Sequence, residues 1–174
     1  MNLLRRSGPQ LALLVLALLG VADAIYLTLV HYDTQVVLAC SDSGFVNCGR
    51  VITSKYSYVP GTSLPISVPG LGWCLVMVAL ALLGIFLSSE RHWLRLAQFT
   101  WALLGMLTVL YLVYVEIALL DNLCAWCTVL HVLILLMFLI TLVRLSRGGS
   151  AAEDELDFAD EEEVVAESST QRTQ

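Results

Sequence analysis

The stretch LCAWCTVLHVLILLMFLITLVR, residues 123–144, decides the fold of this chain. After its second cysteine it carries no acidic or strongly basic residue before Arg144, and it is long enough for a helix to cross the roughly 30 Å hydrocarbon core of a bilayer. Cys124 and Cys127 are expected in the first turn of that helix, with Asp121 or Asn122 as its N-terminal cap. The stretch therefore predicts a membrane-spanning helix that opens on a Cys-x-x-Cys motif.

Three earlier apolar runs predict three further spanning helices, so that the four lie at about 11–31, 71–88, 96–120 and 123–144. The chain is 58% hydrophobic and only 14% charged, which excludes an ordinary cytosolic enzyme, a nucleic-acid-binding protein and a disordered protein. Ala22-Asp23-Ala24 resembles a signal-peptide cleavage site, but the apolar character continues beyond it and favours a retained helix. We expect an all-α integral membrane protein, a four-helix transmembrane bundle spanning residues 1–148.

Basic residues predict the orientation of the bundle in a cell membrane. If the helices alternate, most arginines fall on one side, and only Arg50 and Lys55 fall on the other. Both termini are then cytoplasmic, and the long loop between the first two helices is exoplasmic. Residues 149–174 hold nine of the 15 acidic residues, so we expect them to form a disordered cytoplasmic tail.

Four of the five cysteines fall on the predicted exoplasmic side, where disulfides persist. Taken alone, the Cys124–Cys127 motif is compatible with redox chemistry, a structural disulfide or half of a metal site. Cys40 and Cys48 form a second pair in the long loop, either as a stabilising bridge or as one stage of an exchange relay. Their spacing is too wide for a zinc ribbon, so no metal site is predicted. Cys74 has no partner and is interpreted as a buried packing thiol.

Ionisable residues at membrane depth are costly and mark function or face the interior of a bundle. Asp23, Glu116 and His131 fall in the exoplasmic half, near Cys127. His131 lies one helical turn beyond Cys127 on the same face, where it can contact a ligand carbonyl or relay protons, or simply bond to a neighbouring helix. For Asp23 and Glu116 a structural place at the rim of the bundle is the favoured interpretation.

The order of these features resembles the vitamin K epoxide reductase family in its bacterial form. The matching motifs are NCGRV at 47–51, SKYS at 54–57, the LPISVPG approach to the second helix at 64–70, and CAWC at 124–127. The resemblance covers residues 9–147. Many bacterial members carry a fused thioredoxin-like domain after the membrane body, whereas an acidic segment follows it here.

The resemblance implies a quinone-dependent thiol oxidoreductase that supports disulfide formation. By that likeness Cys127 faces the quinone, Cys124 is its exchange partner, Cys48 resolves the bond to Cys124, and Cys40 takes electrons from an outside dithiol. Ser54 matches a serine near the family's active site. His131 stands where animal members often have tyrosine, which suggests a contact to a quinone oxygen.

The resemblance also implies a separate thioredoxin-like or DsbA-like exoplasmic partner, and a membrane quinone, menaquinone or ubiquinone, as the electron acceptor. The asparagine that animal members use near the quinone has no equivalent before Cys74, so vitamin K epoxide is not predicted as the substrate. Two alternatives stay open. A DsbB-type quinone-linked protein has the same ingredients but carries its Cys-x-x-Cys in the first exoplasmic segment. A non-enzymatic four-helix scaffold would use both pairs as structural disulfides.

Overall fold

The computed structural model describes residues 2–33, 39–40, 44–87 and 92–146, with side chains from residue 8 onward. Within those ranges the chain forms five α-helices: α1 (Asn2–Tyr32), α2 (Cys48–Ile52), α3 (Ser67–Phe86), α4 (His92–Tyr114) and α5 (Ala125–Ser146). A 3-10 turn covers Lys55–Ser57, and a π-helical turn, Val115–Leu119, prolongs α4. The described residues contain no β-strand, only two isolated bridges.

Four segments are long and apolar enough to cross a membrane: Gly8–Tyr32, Ser67–Phe86, His92–Leu119 and Ala125–Ser146. The prediction of an all-α membrane protein with four spanning helices is therefore confirmed. All four helices begin elsewhere than expected: α1 begins at Asn2 rather than at 11, and α4 begins at His92 rather than at 96. The second begins at Ser67 rather than at 71, because Pro69 falls in the first turn, where its missing N–H has no helical partner to lose. The last begins at Ala125 rather than at 123.

The core of the bundle is built from one apolar face of each spanning helix. Its buried members are Leu13 and Ala17 of α1, Met77 and Ala81 of α3, Ala102 and Val109 of α4, and Ile134 and Met137 of α5. Small residues allow close approach of the helix backbones, as is common where lipid supplies no hydrophobic driving force. Gly105 is one such position, since a Cβ there would collide with the Trp73 indole.

A buried polar cluster ties the helices together at the end of the bundle opposite the cysteines. The Gln98 amide donates to the Leu80 carbonyl at 2.9 Å and its oxygen accepts from the Arg144 guanidinium at 2.7 Å. Gln10 of α1 is buried against the side-chain amide of Gln98. These bonds join α1, α3, α4 and α5 and satisfy side chains that would otherwise be unpaired in an apolar medium.

The predicted acidic tail, residues 149–174, lies outside the described residues, as do Arg91 and Arg147. The predicted long connection between the first two spanning helices is present, and its described part folds back over one end of the bundle through α2 and the 3-10 turn. That connection brings the first cysteine pair to the start of α5.

Candidate active site

The Cys-x-x-Cys pair lies at the beginning of α5, and Cys124 is the residue that caps the helix. Its carbonyl accepts the first helical bond, from Thr128 N at 2.9 Å, and its sulfur accepts from Cys127 N at 3.3 Å. The predicted cap at Asp121 or Asn122 is wrong. The Asn122 amide instead donates to the Leu120 carbonyl at 2.8 Å, because the chain turns sharply before the helix begins.

The two thiols of this pair are adjacent and poised to pair with each other. Cys127 Sγ donates to Cys124 Sγ at 2.6 Å, and both cysteines are free thiols. The hydrogen bond from the Cys127 side chain lowers the pKa of Cys124, and N–H groups at the start of the helix add to this effect against the opposing influence of burial. Cys124 is therefore the thiol that ionises more readily than an ordinary cysteine.

Cys40 and Cys48 are joined by a disulfide bond. Cys48 is the first residue of α2, whose start is capped by the Asn47 side chain accepting from Arg50 N at 2.9 Å. Cys48 is fully buried whereas Cys40 is half-buried, so Cys40 is the more accessible end of the disulfide.

All four paired cysteines meet in one small cluster. Cys48 and Cys124 are buried together with Val51, and Cys40 and Cys127 pack against them. Two backbone hydrogen bonds maintain this arrangement: Asn47 N donates to the Leu123 carbonyl at 3.0 Å, and Leu123 N donates to the Phe45 carbonyl at 2.9 Å. The residue before Cys48 is thus bonded to the residue before Cys124, which places the loop pair at the start of α5.

The chain beside Cys40 is held by a separate aromatic clamp, which we define as Tyr26, Trp126 and the Ala39 peptide groups between them. Ala39 N donates to the Tyr26 hydroxyl at 3.0 Å, and the Trp126 indole donates to the Ala39 carbonyl at 2.9 Å. The two rings contact each other, with centroids 4.7 Å apart. By residue type and position alone, Tyr26 and Trp126 are typical of membrane-interface belt or packing residues. A tryptophan inside a Cys-x-x-Cys motif was the one signal of a more specific role.

A largely apolar cavity of about 620 Å³ opens beside Cys127. All four spanning helices and the loop contribute to its wall, which includes the indoles of Trp73 and Trp101. Its size is typical of a small-molecule pocket. Of the four paired cysteines, Cys127 alone lines it.

Two further residues named by the sequence, Ser54 and His131, share this wall, and so does Glu116. The Ser54 hydroxyl donates to the Val51 carbonyl at 2.8 Å, so its proton is already used within the protein. His131 is buried. The cavity therefore combines apolar walls with a few polar groups, a lining that suits a flat ring bearing hydrogen-bond acceptors.

The remaining residues of interest lie away from the cavity. Cys74 is a buried free thiol packed against Gly20, as a packing thiol should be. Asp23 is also buried, and neither of its carboxylate oxygens has a hydrogen-bond partner within the described part of the chain. Tyr111 and Tyr114 are exposed on α4.

The model of the vitamin K epoxide reductase family matches residues 11–142 of this chain. The matched range contains both cysteine pairs and nearly the full length of the four spanning helices.

Proposed function

The chain belongs to the vitamin K epoxide reductase family, and from that premise we propose that it carries electrons from an exoplasmic protein dithiol, through two cysteine pairs, to a membrane quinone. Membership makes the chain a membrane thiol oxidoreductase of a quinone-linked family, whose members generally work with thioredoxin-like partners. The direction of electron flow, the roles of individual cysteines and the location in the cell membrane with cytoplasmic termini belong to the proposal.

Electrons enter at the loop disulfide. A thiolate of a DsbA-like partner attacks Cys40, the more accessible sulfur, so that a partner–Cys40 disulfide forms and Cys48 is released as a thiolate. The partner's second thiol then displaces Cys40. The partner leaves oxidised, and the loop pair has gained two electrons.

The second step is exchange between the two pairs. Cys48 attacks Cys124 of the oxidised Cys124–Cys127 disulfide, which releases Cys127, and Cys40 then attacks Cys48 and releases Cys124. Two observations support this order: Cys48 and Cys124 share one buried cluster, and the residues that precede them are hydrogen-bonded to each other. The lowered pKa of Cys124 favours the last step, in which Cys124 is the leaving group.

Electrons leave through Cys127 into the cavity. When bound there, a quinone accepts two electrons and two protons. In that position Cys127 would face the ring, His131 would donate a hydrogen bond to one of its oxygens, and the two indoles would line its flat sides. Ser54 would reach the other oxygen only by turning its hydroxyl away from the Val51 carbonyl. The observation that carries the proposal is the division within one motif: Cys124 faces the loop pair, and Cys127 faces the cavity.

The test uses purified protein in lipid nanodiscs with dithiothreitol as the dithiol and ubiquinone-1 as the acceptor. We expect quinone reduction that is abolished in Cys127→Ala and retained in Cys74→Ala, which removes a thiol that belongs to neither pair. Quinone reduction that survives in Cys127→Ala contradicts the proposal.

Electron entry has its own test. Cys124→Ala cells should accumulate a mixed disulfide with an exoplasmic thioredoxin-like protein, and the adduct should be missing when Cys40 is also replaced by alanine. If the Cys40–Cys48 bond instead resists reduction in the folded protein, the loop pair is structural, the relay is contradicted and the scaffold alternative is favoured. The position of the Cys-x-x-Cys at the start of the last helix, together with the family match, argues against a DsbB-type protein.

A further inference from the structure

Glu116 is a buried carboxylate at the cavity wall. Neither the packing of the bundle nor the cysteine relay gives it a role. It lies in the π-helical turn Val115–Leu119, closed by a bond from Leu120 N to the Val115 carbonyl at 3.0 Å. Only 4% of the residue is exposed, and it lines the cavity together with Cys127. Turns of this kind are frequent at functional sites.

The carboxylate of Glu116 is held beside the thiol pair. The backbone of Cys124 contributes a hydrogen bond to it, while Oε2 is buried without a hydrogen-bond partner in the described residues. An unpartnered buried carboxylate costs stability, and a purely structural position would be served equally well by an amide. The free oxygen is therefore available to a proton donor in the cavity.

We propose that Glu116 is the proton acceptor for transfer of electrons from the Cys124–Cys127 pair to the quinone, an inference that rests on the function proposed above. In that step two S–H bonds break, one S–S bond forms, and two electrons with two protons convert the quinone to the hydroquinone. Glu116 Oε2 receives each thiol proton in turn and passes it to a quinone oxygen. The carboxylate is unchanged at the end, and atoms and charge balance.

Other titratable groups surround this site and must be separated from Glu116 in any measurement of pH dependence. They come from the start and first turns of α5, from α1, from α3 and from the loop: Cys124, Cys127, His131, Asp23, His31, Cys74 and Tyr56. Asp23 is the closest match to Glu116, because it is also a buried carboxylate without hydrogen-bond partners in the described part of the chain, but it does not line the cavity.

Three substitutions isolate the proton-accepting role. Glu116→Gln keeps an oxygen that can accept from the Cys124 backbone, but it cannot take up a proton. Glu116→Asp keeps the carboxylate and shortens its reach. Asp23→Asn removes a buried carboxylate away from the cavity wall and controls for the loss of buried charge alone.

The first measurement is single-turnover oxidation of the prereduced pair by ubiquinone-1 as a function of pH. Loss of general acid–base catalysis predicts that Glu116→Gln is slower by about 100-fold near neutral pH. The difference in rate between Glu116→Gln and wild type should become smaller as the pH rises, because solvent then takes the thiol proton directly. The oxidation rate of Glu116→Asp should lie between those of wild type and Glu116→Gln, and Asp23→Asn should keep the wild-type rate.

The second measurement needs no quinone: the rate at which N-ethylmaleimide alkylates Cys124 and Cys127 in the reduced protein, read by mass spectrometry. Removal of a neighbouring negative charge favours the thiolate, so Glu116→Gln should be alkylated faster than wild type, by up to about tenfold. Slower quinone reduction combined with faster alkylation supports the proposal, since general damage to the fold would not produce opposite changes.

Three outcomes overturn the inference. One is a Glu116→Gln rate equal to that of wild type, and another is alkylation that is unchanged or slowed. The third is an equal loss of quinone reduction in Asp23→Asn. If wild type itself does not reduce quinone, the proposed function and this inference are both overturned. This outcome is distinguishable from the other three because it needs no variant.

Discussion

Loosening the aromatic clamp should make the Cys40–Cys48 disulfide easier to reduce. Tyr26 and Trp126 each hold one group of the Ala39 peptide, immediately before Cys40. If reduction releases this segment so that a partner can reach Cys40, the clamp stabilises the disulfide form alone. Tyr26→Phe removes the acceptor for Ala39 N, and Trp126→Phe removes the donor to its carbonyl.

The magnitude follows from the two hydrogen bonds. A neutral hydrogen bond contributes about 1 kcal/mol net, which for a two-electron couple corresponds to a reduction potential less negative by about 20 mV. The double variant should therefore shift the potential by about 40 mV, if each bond contributes independently. Tyr26→Phe keeps the ring, so its effect isolates the hydroxyl from the contact between the rings.

Redox titration in glutathione buffers, with the thiols trapped and counted by mass spectrometry, measures this potential. Tyr111→Phe is the matched control, because Tyr111 is an exposed tyrosine of α4 away from the clamp. A double variant whose reduction potential equals that of wild type would refute the reasoning. It would mean that the clamp persists in the reduced protein.

Two further predictions concern the bundle and the thiol pair. Gly105→Ala should destabilise the protein by about 1–3 kcal/mol, because its new Cβ collides with the Trp73 indole; thermal unfolding in detergent measures this, and Gly72→Ala, which meets nothing within 4 Å, should have little effect. Cys127→Ala removes the hydrogen bond that lowers the pKa of Cys124, so that pKa should rise. A thiol of lowered pKa stays ionised further into the acid range, so the variant should lose alkylation of Cys124 near pH 7 and recover it in alkaline buffer; an unchanged pH profile would contradict the assignment.

The parts of the fold that the sequence predicted are those encoded locally. Length and apolar character suffice for a spanning helix, and the positions of the cysteines and motifs lie in the chain itself. The start of the last helix was predicted two residues too early, because aspartate and asparagine are the usual caps and a cysteine sulfur is not. Nothing in the local sequence pattern predicts that Cys124 is the N-terminal cap of α5.

The parts that were missed depend on contacts between distant residues. The clamp joins Tyr26 and Trp126 through a peptide that belongs to neither helix, so no spacing rule reveals it. Glu116 was interpreted as a rim residue because its run of sequence reads as ordinary helix. The π-helical turn that accompanies its burial at the cavity wall is visible only in three dimensions.

Under the proposed function, a Cys-x-x-Cys motif at a helix start would connect two reactants that occupy different media. A protein dithiol is confined to water, and a quinone is confined to lipid, so no single sulfur can serve both. Cys124 precedes α5 and is buried under the loop pair, whereas Cys127, three residues further on, reaches the cavity wall. In the proposed relay, the 2.6 Å separation of the sulfurs would let electrons pass between the two environments by formation of one S–S bond. A motif buried one turn deeper would lose contact with the loop, and one in the loop would lose the cavity, so the first turn of α5 is the depth at which both contacts are made.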